Sequence, residues 1–511
     1  MQRTEGQAGI TAPGIKSTPQ LPGSRERQER QHSRGRALLL ILLLIFGIKL
    51  LLYLLDPSPK FYFGDSASYL WTAISGWIPD DRSFTYGFLL SALAIKTHSL
   101  AAVVVLQTFL GTLAAWIVSF SLLRYFQTKT WIATLAGLLC AVGPLQLISE
   151  RFILTEAIST FLFAVYVLLS LEYLRSGRLV VLGAVQLVAP LLISFRLSYL
   201  PFVLAFSVLL PLLGPPARQT WTGFRRESPQ WRQFGPGLVK VSTHLALAIA
   251  VSQAGLYGYR QWNGNLSNRE PAYMYKDGLF LLAAMAPVVQ PRDFPIPELR
   301  GPIFDHLKFN LRDPRLRIAQ CFGDGGLDDL LTQKVNAKFG DDPRTSPNKL
   351  ARKTALRALK RNPLGALRLT MNTWLDYFDS RYLADTVYRE EGKSNKAAEG
   401  FKKEIRQNVG WEYNDAWRNS LIQRWHKIAL PWYQFLMVLP ILFTALTLLS
   451  RGRNVTELIY FGFASWIFML PATVTAEPTV RYLVAFEWMT PLLLGALLTS
   501  MMPRALRRTL C

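Results

Sequence analysis

The chain is poor in the residues that metal and disulfide chemistry use. It has three cysteines and five histidines in 511 residues, and no two cysteines or two histidines stand at metal-ligand spacing. It contains no P-loop, GxSxG, HExxH or CxxC motif. The sequence therefore gives no support to a disulfide framework, a P-loop nucleotide site or a hydrolase elbow. We expect no required cofactor and no protein metal site, and the use of a divalent metal ion is left open.

Charged residues are also scarce. They make up 18% of the chain, against about 25% in soluble domains, and half of the residues are hydrophobic and fall in long blocks. The net charge is +23, and arginine clusters stand next to these blocks, at Arg25–Arg36, Arg218–Arg232 and Arg504–Arg508. Such clusters are typical of the positive-inside pattern of membrane proteins rather than of a nucleic-acid patch. We therefore predict an integral membrane protein without a nucleic-acid partner.

Ten blocks approach the roughly 20 apolar residues that a transmembrane helix needs. They cover 37–55, 99–123, 131–148, 152–173, 179–195, 197–213, 238–258, 429–449, 455–471 and 481–501. The chain is thus predicted to be an all-α polytopic membrane protein with about ten transmembrane helices. The runs 84–95 and 279–289 are shorter, so we expect interfacial or re-entrant helices there.

An even number of spans leaves both termini on one side, and the basic residues of the short loops place that side in the cytoplasm of a plasma (inner) membrane. The predicted parts are a disordered cytoplasmic tail (1–36), an N-terminal transmembrane module (37–258) with a first outer loop (56–98), a mostly helical extracytoplasmic domain (259–428) and a C-terminal transmembrane module (429–511). The basic amphipathic stretch 352–369 indicates that the outer domain rests on the membrane.

The segment GDSASYL, residues 64–70, follows the first span and carries a single carboxylate, Asp65. An acidic residue at the membrane surface is costly unless it has a function. As a general base it would accept the proton of an acceptor hydroxyl. The alternative is that Asp65 only caps the following helix. The sequence does not decide between the two.

Three arginines stand at the predicted outer ends of spans: Arg481, Arg196 and Arg151. A guanidinium group suits a phosphate because it offers paired donors and a permanent charge. The alternative for each is a snorkelling side chain, and for Arg481 also a surface ion pair with Glu477. Three arginines on one side favour a lipid phosphate.

Two acidic residues, Glu150 and Glu156, flank the outer end of the fourth span. Their spacing of six does not place them on one helical face, but both can line a pocket. Glu150 can equally pair with Arg151. Lys49, within the first span, is interpreted as a snorkelling or packing residue.

Several of these motifs resemble one family. The first outer loop opens with FGDSASY (63–69) and continues with RSFTYGFLLSAL (82–93), the segment SERFILTEAISTFLFA covers 149–164, and RYL (481–483) opens the last span. Together with the order of spans, these motifs resemble the GT-C glycosyltransferases, and in particular the bacterial branch related to protein O-mannosyltransferases and lipid A aminoarabinose transferase. The resemblance covers 37–213 and 429–502. The outer domain contributes little to it.

The resemblance implies transfer of a sugar from a polyprenyl-phosphate carrier to a lipid, glycan or protein acceptor on the outer face of the membrane. By position, Asp65 would be the catalytic carboxylate and Arg481 would hold the donor phosphate, with Arg196 and Arg151 as further candidates. We assign substrate binding to Tyr69, Arg82, Glu150, Glu156 and Tyr482. The chain departs from the family in three ways: it has one aspartate where relatives have an acidic pair, Gly87 where many have proline, and no WWDYG motif.

Two other classes stay open. A secondary transporter would place ionisable groups near the membrane midplane, often within inverted repeats, whereas the notable charges here are predicted at one face. A non-catalytic membrane protein of polysaccharide assembly is the third hypothesis. Replacement of Asp65 distinguishes it from an enzyme, because only an enzyme would lose a catalytic activity.

Overall fold

The computed structural model describes residues 23–62, 64–224, 231–311, 317–322, 325–340, 346–390, 398–410, 418–449, 454–475 and 478–501. Within these ranges the chain is helical and contains no β-strand beyond one isolated bridge. The first half forms eleven α-helices: α1 Gly23–Leu55, α2 Asp65–Ser75, α3 Thr85–Leu90, α4 Leu100–Ser121, α5 Thr130–Ala141, α6 Pro144–Ser149, α7 Glu156–Ser176, α8 Leu179–Phe195, α9 Leu200–Leu213, α10 Pro215–Phe224 and α11 Trp231–Ser267.

The second half continues with α12 Asp277–Met285, α13 Arg300–Asn310, α14 Arg317–Phe322, α15 Leu327–Phe339, α16 Pro347–Arg361, α17 Pro363–Asp376, α18 Ser380–Glu390, α19 Ala398–Val409, α20 Leu421–Ile428, α21 Leu430–Leu449, α22 Val455–Thr473 and α23 Val484–Met501. A π-helical turn follows α3 at Ser91–Ile95 and another follows α4 at Leu122–Phe126. A 3-10 turn, Val480–Leu483, leads into α23.

The all-α membrane fold is confirmed, but ten spans are not. Among the described residues six helices are long and apolar enough to cross a membrane: Ser33–Leu55, Leu100–Phe126, Glu156–Ser176, Gly235–Ser267, Val455–Thr473 and Val480–Thr499. The pair α20 and α21, bent by 52°, makes a seventh if it is one span. The predicted blocks 179–195 and 197–213 are apolar helices of 17 residues or fewer, about 25 Å at 1.5 Å per residue.

The predicted span 131–148 is broken in the structure. Helix α5 ends at Ala141 and α6 restarts at Pro144. The proline stands in the first turn of α6, where its missing N–H costs no hydrogen bond. The free backbone N–H groups of α6 are capped by a carboxylate from the last span. Glu487 accepts hydrogen bonds from the N–H groups of Leu145 (3.2 Å) and Gln146 (2.7 Å) and from Trp432 Nε1 (2.8 Å).

The tail and one of the short apolar runs differ from expectation. Residues 1–22 of the predicted tail lie outside the described residues, and α1 already begins at Gly23. The run 279–289 forms α12 and the 3-10 turn Ala286–Val288, and most of its side chains are buried within the protein. It packs on α16 inside a second hydrophobic core that extends from Leu279 to Ala366. A dozen apolar residues are as typical of a buried core helix as of a membrane segment.

The fold brings the first loop against the last span. The backbone of Lys60 bridges the segment before α7: its N–H donates to Arg151 O (2.8 Å) and its carbonyl accepts from Ile153 N (3.0 Å). Helix α3 lies directly on α2 because Gly87 has no side chain; a Cβ there would overlap the side chain of Thr72. Helix α23 packs against α4, α5 and α7, so that the turn before it faces α2.

Candidate functional site

Asp65 is the first residue of α2, and the N-cap position is Gly64, which makes no side-chain capping bond. The interpretation of Asp65 as the helix cap is therefore wrong. A carboxylate in the first turn still interacts favourably with the positive end of the helix. Its oxygens, however, contact two arginines from elsewhere in the chain. Asp65 Oδ1 lies 2.7 Å from Arg82 Nη1, and Oδ2 accepts a hydrogen bond from Arg481 Nη1.

These two arginines control the ionisation of Asp65. Burial raises the pKa of the carboxyl group, and the positive charges of Arg481 and Arg82, together with their hydrogen bonds, lower it by more. The pKa of Asp65 therefore lies well below its usual range. In this arrangement Asp65 is a permanently ionised group and a weak base.

Arg82 is held in place from several directions. Its guanidinium group donates to both carboxylate oxygens of Asp81, at 2.9 and 2.5 Å, and lies 5.7 Å from the centre of the Tyr69 ring. The next residue, Ser83, donates to Phe195 O (2.9 Å), which ties this loop to the end of α8. Arg82 and Tyr69, both predicted to bind substrate, are thus positioned beside Asp65.

Arg481 lies in the 3-10 turn that leads into the last span. Its guanidinium group stacks 4.6 Å from the centre of the Tyr62 ring and 5.7 Å from that of Tyr482. One nitrogen, Nε, is buried and has no hydrogen-bond partner among the described residues. An unsatisfied buried donor costs about 1–3 kcal/mol, and an oxygen atom of a ligand would remove that cost. Glu477, the alternative partner from the sequence, lies outside the described residues.

Glu156 and Arg196 complete the cluster. Glu156 begins α7 and forms an ion pair with Arg196 Nη1. The same Oε1 lies 3.7 Å from Arg481 Nη1, and Arg196 Nη2 donates to Arg481 O at 3.4 Å. Arg196 also lies 5.3 Å from the centre of the Tyr482 ring. All seven of these predicted residues, from four separate segments, therefore meet in one place. They are Asp65, Tyr69, Arg82, Glu156, Arg196, Arg481 and Tyr482.

We refer to these seven residues, together with Asp81, which binds Arg82, and Tyr62, which stacks on Arg481, as the Asp65 cluster. The side of the helix bundle that carries it is called the Asp65 face. Its three arginines are balanced by three acids: Asp65, Asp81 and Glu156. The side chains of Asp65, Arg82 and Arg481 are 15%, 17% and 25% exposed, so a ligand can reach them. Chemically, the cluster offers an anion site at the arginines next to a carboxylate.

Arg151 and Glu150 do not belong to the Asp65 cluster, contrary to the sequence-based assignment. Arg151 donates from Nε to Asp56 O (2.8 Å) and from Nη1 to Thr108 Oγ1 (2.9 Å). Glu150 forms an ion pair with Lys49 at 2.5 Å and lies 3.6 Å from Arg151. All three side chains are fully buried. With no exposed surface, Arg151 is not placed to bind a lipid phosphate, and Lys49 is a buried ion-pair partner rather than a snorkelling residue.

A second ion pair extends this buried group. Lys60 Nζ lies 2.9 Å from Asp56 Oδ1 and donates to Ser420 Oγ at 2.8 Å. Burial lowers the pKa of Lys60 to about 8, and the neighbouring carboxylate opposes that shift only in part. We refer to Lys49, Asp56, Lys60, Glu150 and Arg151 as the Glu150 cluster. It connects α1, the first loop, α6 and the segment before α20.

Two residues of the Asp65 cluster escaped the sequence analysis. Tyr62 precedes the acidic motif and supplies the ring beneath Arg481. Asp81 fixes Arg82. Both stand next to assigned residues, and a guanidinium group that must stay oriented commonly uses an aromatic face and a carboxylate. No group of three His, Cys, Asp or Glu side chains in the described parts of the chain is arranged to hold a metal ion. The metal question stays open.

No protein-family model, no curated protein and no solved structure matches the chain. The resemblance to GT-C glycosyltransferases thus rests on the short motifs alone, and the function has to be argued from the geometry of the Asp65 cluster.

Proposed function

We propose that the protein is a membrane glycosyltransferase that uses a polyprenyl-phosphate sugar as donor. The observation that carries the proposal is the Asp65 cluster. There a carboxylate from the first loop lies against the arginine that opens the last span, at a surface that ligands can reach. A donor whose tail stays in the bilayer presents its phosphate at this depth. The outer face of a plasma membrane and cytoplasmic termini complete the proposal.

The donor phosphate binds Arg481 first in this mechanism. The unpartnered Nε of Arg481 gives up no hydrogen bond when it donates to a phosphate oxygen, although the side chain has to turn this buried nitrogen towards the ligand. A second oxygen then competes with Asp65 and Glu156 for the remaining guanidinium donors. Arg196, which contacts both Glu156 and the Arg481 backbone, supplies the second positive charge. As the leaving phosphate gains charge in the transition state, these contacts strengthen.

Binding of the phosphate also changes Asp65. The pKa of Asp65 is low because of Arg481 and Arg82, so a phosphate that neutralises Arg481 raises the pKa of the carboxyl group. Asp65 then accepts the proton of the acceptor hydroxyl as its oxygen attacks the anomeric carbon. The bond from that carbon to the phosphate oxygen breaks, and polyprenyl phosphate leaves with the electron pair. The carboxylate is thus a weak base until the donor is bound.

A secondary transporter is the main alternative, and the Glu150 cluster is the feature that favours it, because charges buried in a membrane protein often mark an ion pathway. Lys49 and Glu150 are both fully buried, however. A Cβ at Gly111 of α4 would overlap Glu150, so the neighbouring helix is packed directly on this pair. The pair fits a structural role better than a conducting one.

Binding of polyprenyl monophosphate to the purified protein in nanodiscs tests the donor site. Polyprenol, which lacks the phosphate, is the ligand control. Arg481→Ala is expected to weaken phosphate binding about 10- to 100-fold, as a charge-assisted bond contributes about 1.5–3 kcal/mol. Arg481→Lys should restore it only in part, because an ammonium group keeps the charge and loses the fork. The matched control is Arg269→Ala, which removes a half-exposed arginine that pairs with Asp80.

Two outcomes would count against the assignment. If Arg481→Ala binds the phosphate as the wild type does, the phosphate site moves to Arg196 or is absent. If wild-type protein binds polyprenol and its phosphate equally, the donor class is wrong. Mass spectrometry of lipid-linked sugars and surface glycans from a deletion strain then identifies the sugar and the acceptor. Unchanged glycans would leave a transporter or a non-catalytic assembly protein as the remaining hypotheses for the function.

Labelling of introduced cysteines in intact cells tests the orientation. A cysteine at Lys338, an exposed residue of the second hydrophobic core's helix α15, should react with a membrane-impermeant maleimide. A cysteine at Arg178, in the loop between α7 and α8, should react only after the cells are opened. The reverse pattern would contradict the proposed outer location of the Asp65 face.

A further inference from the structure

Helix α17 exposes an apolar stripe on one side. Its members recur every three or four residues and are Leu364 (76% exposed), Leu367 (64%), Met371 (52%), Leu375 (52%) and, just beyond the helix, Phe378 (37%). At about 100° per residue these positions fall within one narrow sector of the helix. We refer to these five residues as the α17 stripe. A row of large apolar side chains of this size marks an interaction surface rather than ordinary solvent-exposed protein.

Residues beside and opposite the stripe fasten α17 to α21 and to the segment that follows α22. Trp374 borders the stripe, and its ring packs on that of Phe378 at 5.0 Å. Trp374 Nε1 donates to Met437 O of α21 at 3.2 Å, and Thr373 Oγ1 donates to Thr475 O at 3.4 Å. The hydroxyl group of Tyr377 accepts a hydrogen bond from Thr479 N at 2.9 Å. Met437 lies in α21, the second half of the bent pair that forms a seventh candidate span. Helix α17 is therefore fixed beside α21, which itself exposes large apolar side chains such as Phe435 and Ile441.

Basic residues border the α17 stripe. Arg368 on α17 and Lys353, Arg357 and Lys360 on the preceding helix α16 are exposed, and none of them forms an ion pair with a described residue. Two further exposed leucines, Leu356 and Leu359, lie among them on α16. Lysine and arginine around an apolar stripe are typical of helices that lie in the headgroup region of a membrane with anionic lipids.

We propose that α16 and α17 form a membrane-docking surface: the α17 stripe inserts into the acyl region of the leaflet on the Asp65 face, and the basic residues bind anionic phospholipid headgroups. The bilayer is favoured over a second copy of the chain because the hydrogen bonds of α17 join it to α21 and to the segment between α22 and the last span, beside helices that are candidate spans. Unpaired positive charge would also repel an identical surface. The proposal concerns a surface outside the Asp65 cluster, and it does not depend on the proposed reaction.

Spin labels test the insertion. Single cysteines at Leu367, Met371 and Leu375 are labelled in a background in which the three native cysteines are replaced by alanine. The protein is reconstituted in nanodiscs of phosphatidylcholine and phosphatidylglycerol. Collisions with oxygen, which concentrates in the bilayer, and with the water-soluble relaxant NiEDDA are compared by power saturation. A label at Lys334 on α15, which is exposed on the outer domain, is the aqueous control.

Labels on the α17 stripe are expected to be at least about fivefold less accessible to NiEDDA than the label at Lys334, and more accessible to oxygen, as for side chains below the headgroups. Equal NiEDDA accessibility at the stripe and at Lys334 would overturn the proposal. Dipolar broadening between labels of two molecules would overturn it as well, since a second copy would then cover the stripe.

Lipid composition tests the basic border separately. In nanodiscs of phosphatidylcholine alone, NiEDDA accessibility at Met371 should rise at least about twofold, because the basic residues lose the attraction of the anionic headgroups. Replacement of the four border residues Lys353, Arg357, Lys360 and Arg368 by glutamine should remove this dependence on phosphatidylglycerol. A variant that keeps the dependence, or a wild type that lacks it, would refute the binding of anionic headgroups.

Discussion

Two charged clusters both draw on the first loop, and they differ in access rather than in composition. The Asp65 cluster and the Glu150 cluster both pair carboxylates with basic side chains from distant segments. In the first, the side chains of Asp65, Arg82 and Arg481 are 15–25% exposed. In the second, Lys49, Glu150 and Arg151 are fully buried. Residue type alone therefore does not identify a site at a membrane surface.

The difference leads to opposite expectations for mutants. A buried ion pair that loses one partner leaves an uncompensated charge in an apolar interior, so the cost falls on folding. A partly exposed pair can be hydrated when broken, so the cost to folding is small and the loss falls on ligand binding. Variants of the two clusters test this distinction between loss of stability and loss of ligand binding, from the largest expected effect to the smallest.

Glu150→Ala should have the largest effect, and it should be on stability. It leaves Lys49 without its ion-pair partner at 0% exposure, which costs about 3–5 kcal/mol. The measurement is the thermal unfolding midpoint of the detergent-solubilised protein, followed by size-exclusion chromatography. The double variant Lys49→Met/Glu150→Leu should recover most of the loss, because it removes both charges. A single variant as stable as the wild type would mean that the pair carries no structural role.

Asp65→Asn should reduce turnover at least 100-fold, equivalent to about 2.7 kcal/mol, with little loss of stability. The amide keeps the size of the side chain but does not accept the proton. Transfer from the polyprenyl-phosphate sugar is measured under saturating donor, with the unfolding midpoint as the control for folding. Turnover within threefold of the wild type would leave Asp65 as a positioning residue for Arg82 and Arg481.

Tyr377→Phe should raise the donor KM at least about fivefold, since each neutral hydrogen bond contributes about 1 kcal/mol. The hydroxyl group also donates to the carbonyl oxygens of Ala472 and Thr479. The Tyr377 hydroxyl group accepts the N–H of Thr479, which is the N-cap of the turn that carries Arg481. We expect kcat to change less than KM, because the effect is on the position of Arg481, the residue proposed to bind the phosphate. Tyr257→Phe, at an exposed tyrosine of α11, is the control. Equal effects of the two variants would remove Tyr377 from the site.

The smallest effect concerns pH. The pKa of Asp65 lies below its ordinary value of 3.8, so its ion pairs stabilise the fold above pH 3.8 and lose that contribution as the pH falls towards the folded-state pKa. The stability difference between wild type and Asp65→Asn, under about 1 kcal/mol for part-exposed groups, should stay constant from pH 8 to 5 and shrink below pH 3.8. A difference that already disappears at pH 6 would show that Arg481 and Arg82 do not hold the carboxylate.

Much of the fold could be predicted because long apolar blocks leave few alternatives to helices. The sequence did not reveal where a helix breaks or how far a charged side chain is buried. The block 131–148 reads as continuous, yet Gly143 and Pro144 divide it, and the capping carboxylate, Glu487, comes from a segment far along the chain. Local pattern contains no trace of such a partner.

The candidate site could be predicted only in part for the same reason, since local sequence patterns do not show contacts between distant segments. Asp65 and Arg481 were expected on one face, and the sequence could not show that they touch. Arg151 and Arg196 look alike in sequence, each beside an apolar block. The backbone bridge at Lys60 draws the segment of Arg151 inward, whereas Arg196 stands at a turn that faces Glu156. Only the three-dimensional packing separates the two.

The sequence distance between partners has a consequence for biosynthesis. Arg481 is separated from Asp65 by 416 positions, and Glu487 from Gln146 by 341. A ribosome that adds about 5–20 residues per second needs roughly 20–80 s to bridge the longer gap. During that time the first-made helices stand in the membrane with a broken span uncapped and a surface carboxylate without one of its two counter-charges. The last hydrophobic segment to emerge supplies both missing partners, Glu487 for α6 and Arg481 for Asp65. A ribosome stalled before codon 480 would therefore hold an inserted but unfinished protein, which membrane quality-control proteases should recognise.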